Sequence, residues 1–97
     1  MIKIKKKNIY LLNKKKKILF FYSKFNNSCK LIKKTILKIE KKIKILFFSV
    51  NIEENLKFCI ENNIKQSPTI IFDLKKKKIV TGIKNINEIL NFILFKR

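Results

Sequence analysis

The sequence predicts a single α/β domain in which a central mixed β-sheet is flanked by helices. Its length of 97 residues, with no Pro/Gly/Ser-rich linker, is enough for one hydrophobic core, so residues 1–97 are expected to form one domain. Short continuous apolar segments, typical of strands buried on both faces, alternate with segments of helical period. The order strand, helix, strand, helix, two strands and a closing helix is typical of an α/β sandwich.

The first fifteen residues are the least defined part of the predicted fold. Ile2 and Ile4 alternate with lysines and predict a weak first strand, and Ile9–Leu12 predicts a short helical turn. The first buried strand is then Ile18–Tyr22, which is continuous, apolar and rich in β-prone residues. Residues 1–15 are therefore expected to hold only a short strand and a short helical turn, both weakly defined.

The longest predicted helix follows that strand and runs from Ser28 to Lys42. Apolar residues recur at three- and four-residue steps, with Ser28 available as the N-cap. The residues expected on the inner face are Leu31, Ile32, Ile36, Ile39 and Ile43. A second buried strand is predicted at Ile45–Val50.

The second half of the chain predicts a shorter helix, a hairpin and a closing helix. The acidic pair Glu53–Glu54 precedes the shorter helix and suits the positive end of its dipole. The hairpin joins Thr69–Phe72 to Lys78–Thr81 through a lysine-rich turn. The inward residues expected for the shorter helix are Leu56, Cys59, Ile60 and Ile64, and those for the closing helix are Ile86, Ile89, Leu90 and Ile93.

The charge of the chain is strongly positive but has two interpretations. Lysine and arginine total 25 against six acids, a formal net charge of +19, which is typical of partners such as nucleic acid or an anionic surface. All but one of these basic residues are lysine, and isoleucine, asparagine and phenylalanine are also frequent. These four residue types share A/T-rich codons, so a biased genome accounts for the same profile. The lysine runs Lys5–Lys7, Lys14–Lys17 and Lys75–Lys78 are interpreted as solvated connections.

The composition also excludes several kinds of site. Two cysteines and no histidine exclude a Cys/His zinc site, Cys–His catalysis and a Ser-His-Asp triad. No apolar segment approaches the ~18–20 residues of a membrane span. The basic N-terminus is not followed by the ~7–15 apolar residues of a secretory signal. We therefore expect no metal, no cofactor and no membrane association.

Four segments, in order and with similar spacing, resemble the thioredoxin family over about residues 16–95. Residues 21–30 read FYSKFNNSCK, where the family has an apolar strand followed by a motif close to FWAxWCGPCK. Val50–Asn55 is similar to the segment after the next strand, and Ile64–Thr69 is similar to the segment that contains a cis-proline and a threonine. Gly82 stands where thioredoxins keep a glycine near the active surface. The resemblance implies a thioredoxin-like fold and, as the family activity, thiol–disulfide exchange on proteins.

The active-site motif departs from the family in its reactive residues. In the position-by-position comparison, Asn26 replaces the nucleophilic first cysteine, and Cys29 occupies the position of the resolving cysteine. The family's buried acid falls on Phe20, and the lysine that pairs with this acid in many members falls on Ser49. An amide cannot form a mixed disulfide, so we expect two-cysteine turnover to be impaired or lost.

Both cysteines have two interpretations. Cys29 is either a covered remnant of the resolving thiol or a single reactive thiol able to form mixed disulfides. Cys59 lies at apolar spacing on its helix, where a small buried hydrophobic residue is the usual role. The family geometry places the two cysteines on different elements, so no disulfide between them is expected.

The resemblance also implies a peptide-binding site around Pro68. In the family this proline is cis, and the backbone beside it pairs with an extended client peptide. The matching groove is bordered by Phe25, Asn26, Ser67 and Gly82. The alternative is that Pro68 only shapes the entry to a strand.

Taken together, the expectation is a monomeric thioredoxin-like protein of a reducing compartment, such as the cytoplasm, an endosymbiont or an organelle. Its expected partners are client proteins or extended peptides, with a thioredoxin reductase or a small thiol if chemistry remains at Cys29. The alternative from another class is a basic module that binds nucleic acid or ribosomes. The lysine runs carry no interleaved aromatic residues for base stacking, which does not favour that alternative.

Overall fold

The computed structural model describes residues 1–13, 16–73 and 77–81 and contains five strands and three helical segments in this part of the chain. In chain order, the elements are β1 (Ile2–Lys3), a 3-10 helix (Lys6–Asn13), β2 (Lys17–Tyr22), α1 (Asn27–Glu40), β3 (Leu46–Asn51), α2 (Leu56–Glu61), β4 (Thr69–Asp73) and β5 (Lys77–Thr81). The predicted closing helix and Gly82 lie outside the described residues.

The five strands form one mixed sheet in the order β1-β3-β2-β4-β5. β1 and β2 both run parallel to β3, whereas β2–β4 and β4–β5 are antiparallel pairs. The parallel β2–β3 pair is connected through α1, as a parallel pair requires a crossover. The α/β fold predicted from the sequence, a central mixed sheet flanked by helices, is confirmed.

β2 is the central strand, and its side chains supply both faces of the sheet. Because successive side chains of a strand point to opposite faces, Ile18 and Phe20 pack in a cluster with α1, and Leu19 and Phe21 pack in a second cluster with α2. All four are at least 96% buried. Full burial of each such side chain stabilises the fold by about 1.5–3 kcal/mol, and β2 is accordingly apolar on both faces from Ile18 to Phe21.

α1 covers one face of the sheet with an apolar stripe narrower than predicted. Ile32, Ile36 and Ile39 are buried against the sheet together with Cys29. Leu31 was expected on the inner face, but it is 69% exposed. Leu31 lies about 100° around the helix from Ile32, on the side away from the face that Ile32, Ile36 and Ile39 share, so it is directed to solvent.

α2 is also more exposed than its sequence pattern predicts. Cys59 is buried as expected, but Leu56 and Ile60 are 59% and 72% exposed. The helix has only six residues, Leu56–Glu61, and therefore presents one narrow face to the sheet. The inward positions predicted at Leu56 and Ile60 were wrong.

The interpretation of Lys14–Lys17 as a solvated connection is wrong for Lys17. Lys17 begins β2 and is 91% buried, and its Nζ lies 2.7 Å from the Asp73 carboxylate at the end of β4. The antiparallel register places these two residues directly opposite each other. Lys6 and Lys7 belong to the 3-10 helix and Lys77 and Lys78 to β5, so the other two runs are not pure connections either.

Candidate functional site around Asn26 and Pro68

Asn26 caps the N-terminus of α1. Its backbone is extended (φ −111°, ψ 109°), and its Oδ1 accepts hydrogen bonds from the Ser28 backbone N–H at 3.0 Å and from the Ser28 hydroxyl at 2.6 Å. The prediction that Ser28 is the N-cap was wrong by two positions. Asparagine and serine are about equally good caps, and here Ser28 instead donates to the true cap.

The other end of the Asn26 amide connects α1 to the segment before β4. Nδ2 donates to the Ser67 carbonyl at 2.8 Å and lies 3.4 Å from the Ser67 hydroxyl, across 41 positions of sequence. The peptide bond between Ser67 and Pro68 is cis. Asn26, Ser67 and Pro68 therefore meet at one end of the sheet.

Cys29 lies in the first turn of α1 with its side chain directed inward. It is only 3% exposed, is a free thiol, and packs in the same cluster as Phe20 and Ile32. Of the two positions where the family motif has cysteines, the first holds the more exposed residue, Asn26, and the second holds the buried Cys29. Thiol–disulfide exchange requires the sulfur to reach its partner, and this burial opposes such an approach.

Cys59 is buried in the other cluster, on the opposite face of the sheet from Cys29. It is a free thiol and 2% exposed. Burial raises the pKa of the Cys59 thiol, and the negative charge of Glu53 raises this pKa further. The neutral thiol is therefore the favoured form, as expected of a small core residue.

The two positions where the family has an acid and a lysine are direct neighbours. Phe20 on β2 pairs with Ser49 on β3, and the two residues are 0% and 6% exposed. A carboxylate and an ammonium at these positions would face each other inside the sheet. With phenylalanine and serine there, no group at this pair accepts a proton near neutral pH.

Phe25 precedes the cap and is the most exposed large apolar side chain among the described residues, at 85%. Its backbone N–H donates to the Ser23 hydroxyl at 3.2 Å, within the turn that joins β2 to α1. The structure therefore brings Phe25, Asn26, Ser67 and Pro68 to one region. Gly82, the remaining predicted member, lies outside the described residues.

Sequence reasoning missed one residue that orders this loop. Glu53 accepts a hydrogen bond from the Lys24 backbone N–H at 3.2 Å, although the two residues are 29 positions apart. The neighbouring Glu54 lies 3.8 Å from the Lys24 ammonium. Nothing in the local pattern distinguishes this contact from the predicted role of Glu53–Glu54 at the start of α2.

Residues 1–13, 16–73 and 77–81 contain neither a membrane-spanning helix nor a group of metal ligands. None of the helices there has the length and hydropathy of a membrane-spanning helix. In the same residues, no three His, Cys, Asp or Glu side chains are grouped so that they could hold a metal ion.

Comparison with known proteins places this architecture in a family. A model of the thioredoxin family matches residues 3–94. Thioredoxin from Fasciola hepatica is 17% identical in sequence, with a TM-score of 0.84 over 100% of both chains. The Schistosoma mansoni thioredoxin is 22% identical, with a TM-score of 0.81 over 96% of this chain and 94% of that chain. Thioredoxin 1 from Thermosipho africanus is 25% identical with a TM-score of 0.74 over 80% of this chain and 90% of that one.

A search of curated proteins found no match to the chain. The family match nevertheless spans nearly the whole chain and agrees with the resemblance drawn from the motif. Thiol–disulfide exchange with client proteins, supported by a thioredoxin reductase, is the activity associated with this family. The chain belongs to the thioredoxin family.

Proposed function

We propose that this protein binds extended segments of client proteins at the backbone beside Pro68 and does not reduce disulfides by the two-cysteine route. The observation that carries the proposal is the position of Asn26. Its amide caps α1 where the family has the attacking thiolate, and it is hydrogen-bonded on one side to Ser28 and on the other to Ser67. An amide held in this way offers no nucleophile.

The surroundings of Cys29 support the loss of turnover. The thiolate is the reactive form of a cysteine, and a covered sulfur cannot approach a protein disulfide. Cys29 is 97% buried, and the nearby Phe20–Ser49 pair offers no acid or base to move its proton. We therefore favour the covered-remnant interpretation of Cys29 over single-thiol chemistry.

The backbone of Ser67 supports the peptide-binding part of the proposal. Its N–H makes no hydrogen bond to any residue in the described part of the chain. Its carbonyl accepts one hydrogen bond from Asn26, and a carbonyl oxygen has two lone pairs. An extended peptide could thus donate to and accept from Ser67 in the manner of an added strand.

Phe25 supplies an apolar contact beside this backbone. An aromatic side chain that is 85% exposed contributes binding energy when a partner buries it. The hydrogen bonds would give affinity for any extended backbone, and Phe25 would favour client segments with apolar side chains. The partners proposed here are unfolded or extended segments of proteins.

Insulin reduction with dithiothreitol tests the catalytic half of the proposal. Wild-type protein should not accelerate the reaction above the uncatalysed rate, whereas Asn26→Cys, which recreates a Cys-x-x-Cys motif, should give measurable turnover. The control Asn26→Cys/Cys29→Ser should lose most of this gain. Robust wild-type turnover that Cys29→Ser abolishes would contradict the proposal.

Binding of the carboxymethylated insulin B chain, which has no free thiol, tests the peptide half. Titration followed by NMR should shift the backbone signals of Ser67 and Thr69, and Phe25→Ala should weaken binding about tenfold, or ~1.4 kcal/mol. The matched control is Tyr10→Ala, which removes a 66% exposed aromatic side chain on the 3-10 helix. An equal loss in both variants would refute a role for this groove.

A further inference from the structure

A cavity with a cationic rim lies on the β1 side of the first turn of α1. Its volume is about 400 Å³, and its lining comes from β1, the end of β2, the following loop and α1. The residues that line it are Lys3, Tyr22, Ser23, Lys24, Cys29, Lys30 and Lys33. Pockets of a few hundred Å³ are large enough for a small organic ligand.

The positive charge around this cavity is largely uncompensated. The Lys24 Nζ lies 3.8 Å from the Glu54 Oε1, but both side chains are about half exposed, so this ion pair is weak. No carboxylate pairs with the ammonium groups of Lys3 and Lys30 among residues 1–13, 16–73 and 77–81. Among the described residues, four ammonium groups line the cavity, and the two carboxylates that contact its lining, Glu53 and Glu54, both do so at Lys24.

The cavity also has a fixed aromatic wall. The Tyr22 ring stacks on Phe20 with 5.8 Å between centroids and a 17° angle between planes, so the sheet holds it in place. The Lys33 Nζ lies over the Tyr22 ring, 5.6 Å from the ring centroid. A cation over an aromatic ring beside further lysines gives one site both a flat apolar surface and positive charge.

This combination selects a particular class of anion. Lysine ammonium groups act as point charges and are common phosphate binders, whereas arginine favours bidentate recognition. The cationic side chains among the described residues that line the cavity are all lysines. The first turn of α1 adds the positive end of its dipole, which stabilises negative charge. The Tyr22 ring can contact a planar group attached to the phosphate.

We propose that this cavity binds a small organic phosphate in which a planar ring is joined to a multiply charged phosphate group. Ring contact with Tyr22 and charge contact with Lys3, Lys30 and Lys33 define the site. The Ser67–Pro68 groove shares none of these residues, so the inference stands whether or not peptides bind there.

The test is titration of the full-length protein with ADP and, separately, with inorganic pyrophosphate at 0.15 M salt, where the Debye length is about 8 Å. Calorimetry gives the affinity, and the ring signals of Tyr22 and Tyr10 in NMR give the location. We expect ADP to bind more tightly than pyrophosphate and to shift the Tyr22 ring signals, with those of Tyr10 unchanged.

Two double variants separate a site from the general charge of the chain. Lys3→Gln/Lys30→Gln removes two lysines of the cavity and should weaken ADP binding about tenfold, which corresponds to ~1.4 kcal/mol. Lys41→Gln/Lys65→Gln removes the same charge from exposed positions that do not line the cavity and should change the affinity less than about twofold.

Three results would overturn the proposal. They are an equal loss of ADP affinity in both double variants, pyrophosphate binding as tight as ADP binding, or Tyr22 signals that do not move at saturating ADP. The first two would mean that only the net charge attracts the ligand, and the third would place ADP elsewhere.

Discussion

The hydrogen bonds of Asn26 predict a stability loss that can be divided between the two ends of its side chain. In Asn26→Ala, α1 loses its cap, which costs about 1 kcal/mol. The bond to the Ser67 carbonyl, at 2.8 Å and partly buried, contributes about another 1 kcal/mol. The free energy of unfolding should therefore fall by about 2 kcal/mol, and Tm by about 10 °C for a domain of this size.

Two further variants separate the contributions. Asn26→Asp keeps the oxygen that accepts from Ser28 and places a negative charge at the N-terminus of α1, but it loses the donor to Ser67. Its loss should be about half that of Asn26→Ala. Ser67→Ala keeps the carbonyl acceptor and removes only the 3.4 Å hydroxyl contact, so it should cost less than about 0.5 kcal/mol.

Chemical denaturation followed by circular dichroism measures all three variants. A value for Asn26→Ala within about 0.5 kcal/mol of wild type would refute the reasoning. Equal losses for the alanine and aspartate variants would mean that the cap contributes nothing and that the contact with Ser67 carries the whole effect.

Three other predictions concern the core, the second thiol and the net charge. Because the Lys17 side chain is nearly buried, Asp73→Asn leaves its charge without this carboxylate and should lower the free energy of unfolding by about 1–2 kcal/mol. Lys17→Met should cost less, because it also removes the buried charge. A larger loss in Lys17→Met than in Asp73→Asn would contradict this. The pKa of Cys59 is raised in the folded state, so its contribution to stability is complete below the unfolded value of 9.0 and declines as pH rises toward the folded pKa. Above about pH 9, the free energy of unfolding should therefore fall less steeply with pH in Cys59→Ala than in wild type. Equal slopes of the free energy of unfolding against pH in the two proteins would exclude this cause. Filter binding of single-stranded and duplex RNA should show weak affinity that falls steeply with salt and shows no sequence preference, whereas a preference that persists at high salt would favour the nucleic-acid alternative.

The fold was predictable from the sequence because its signals are local or depend on the order of elements. Ile18–Tyr22 was predicted as a strand and lies within β2, Lys17–Tyr22, since a continuous apolar run needs two packed faces. The helical period placed Ile32, Ile36 and Ile39 inward correctly. Leu31 and Ile60 were misplaced because each helix has more apolar residues than its narrow buried face can accommodate.

The contacts that define the candidate site were less predictable. Asn26 and Ser67 are 41 positions apart, and Lys17 and Asp73 are 56 apart. No local pattern indicates which distant carbonyl an asparagine amide will reach, or that one lysine of a run enters the sheet. The N-cap was misassigned because Asn26 and Ser28 have similar capping preference and stand two positions apart.

If two-cysteine chemistry is lost as proposed, the apolar Phe20 opposite Ser49 makes its full recovery difficult in single steps. A carboxylate introduced at position 20 would stand in a fully buried site with no cation opposite, and an isolated buried charge of this kind is strongly destabilising. A lysine introduced first at position 49 would meet the same penalty. A descendant of this chain that regained a cysteine at position 26 would therefore work without a proton acceptor until both interior positions changed together.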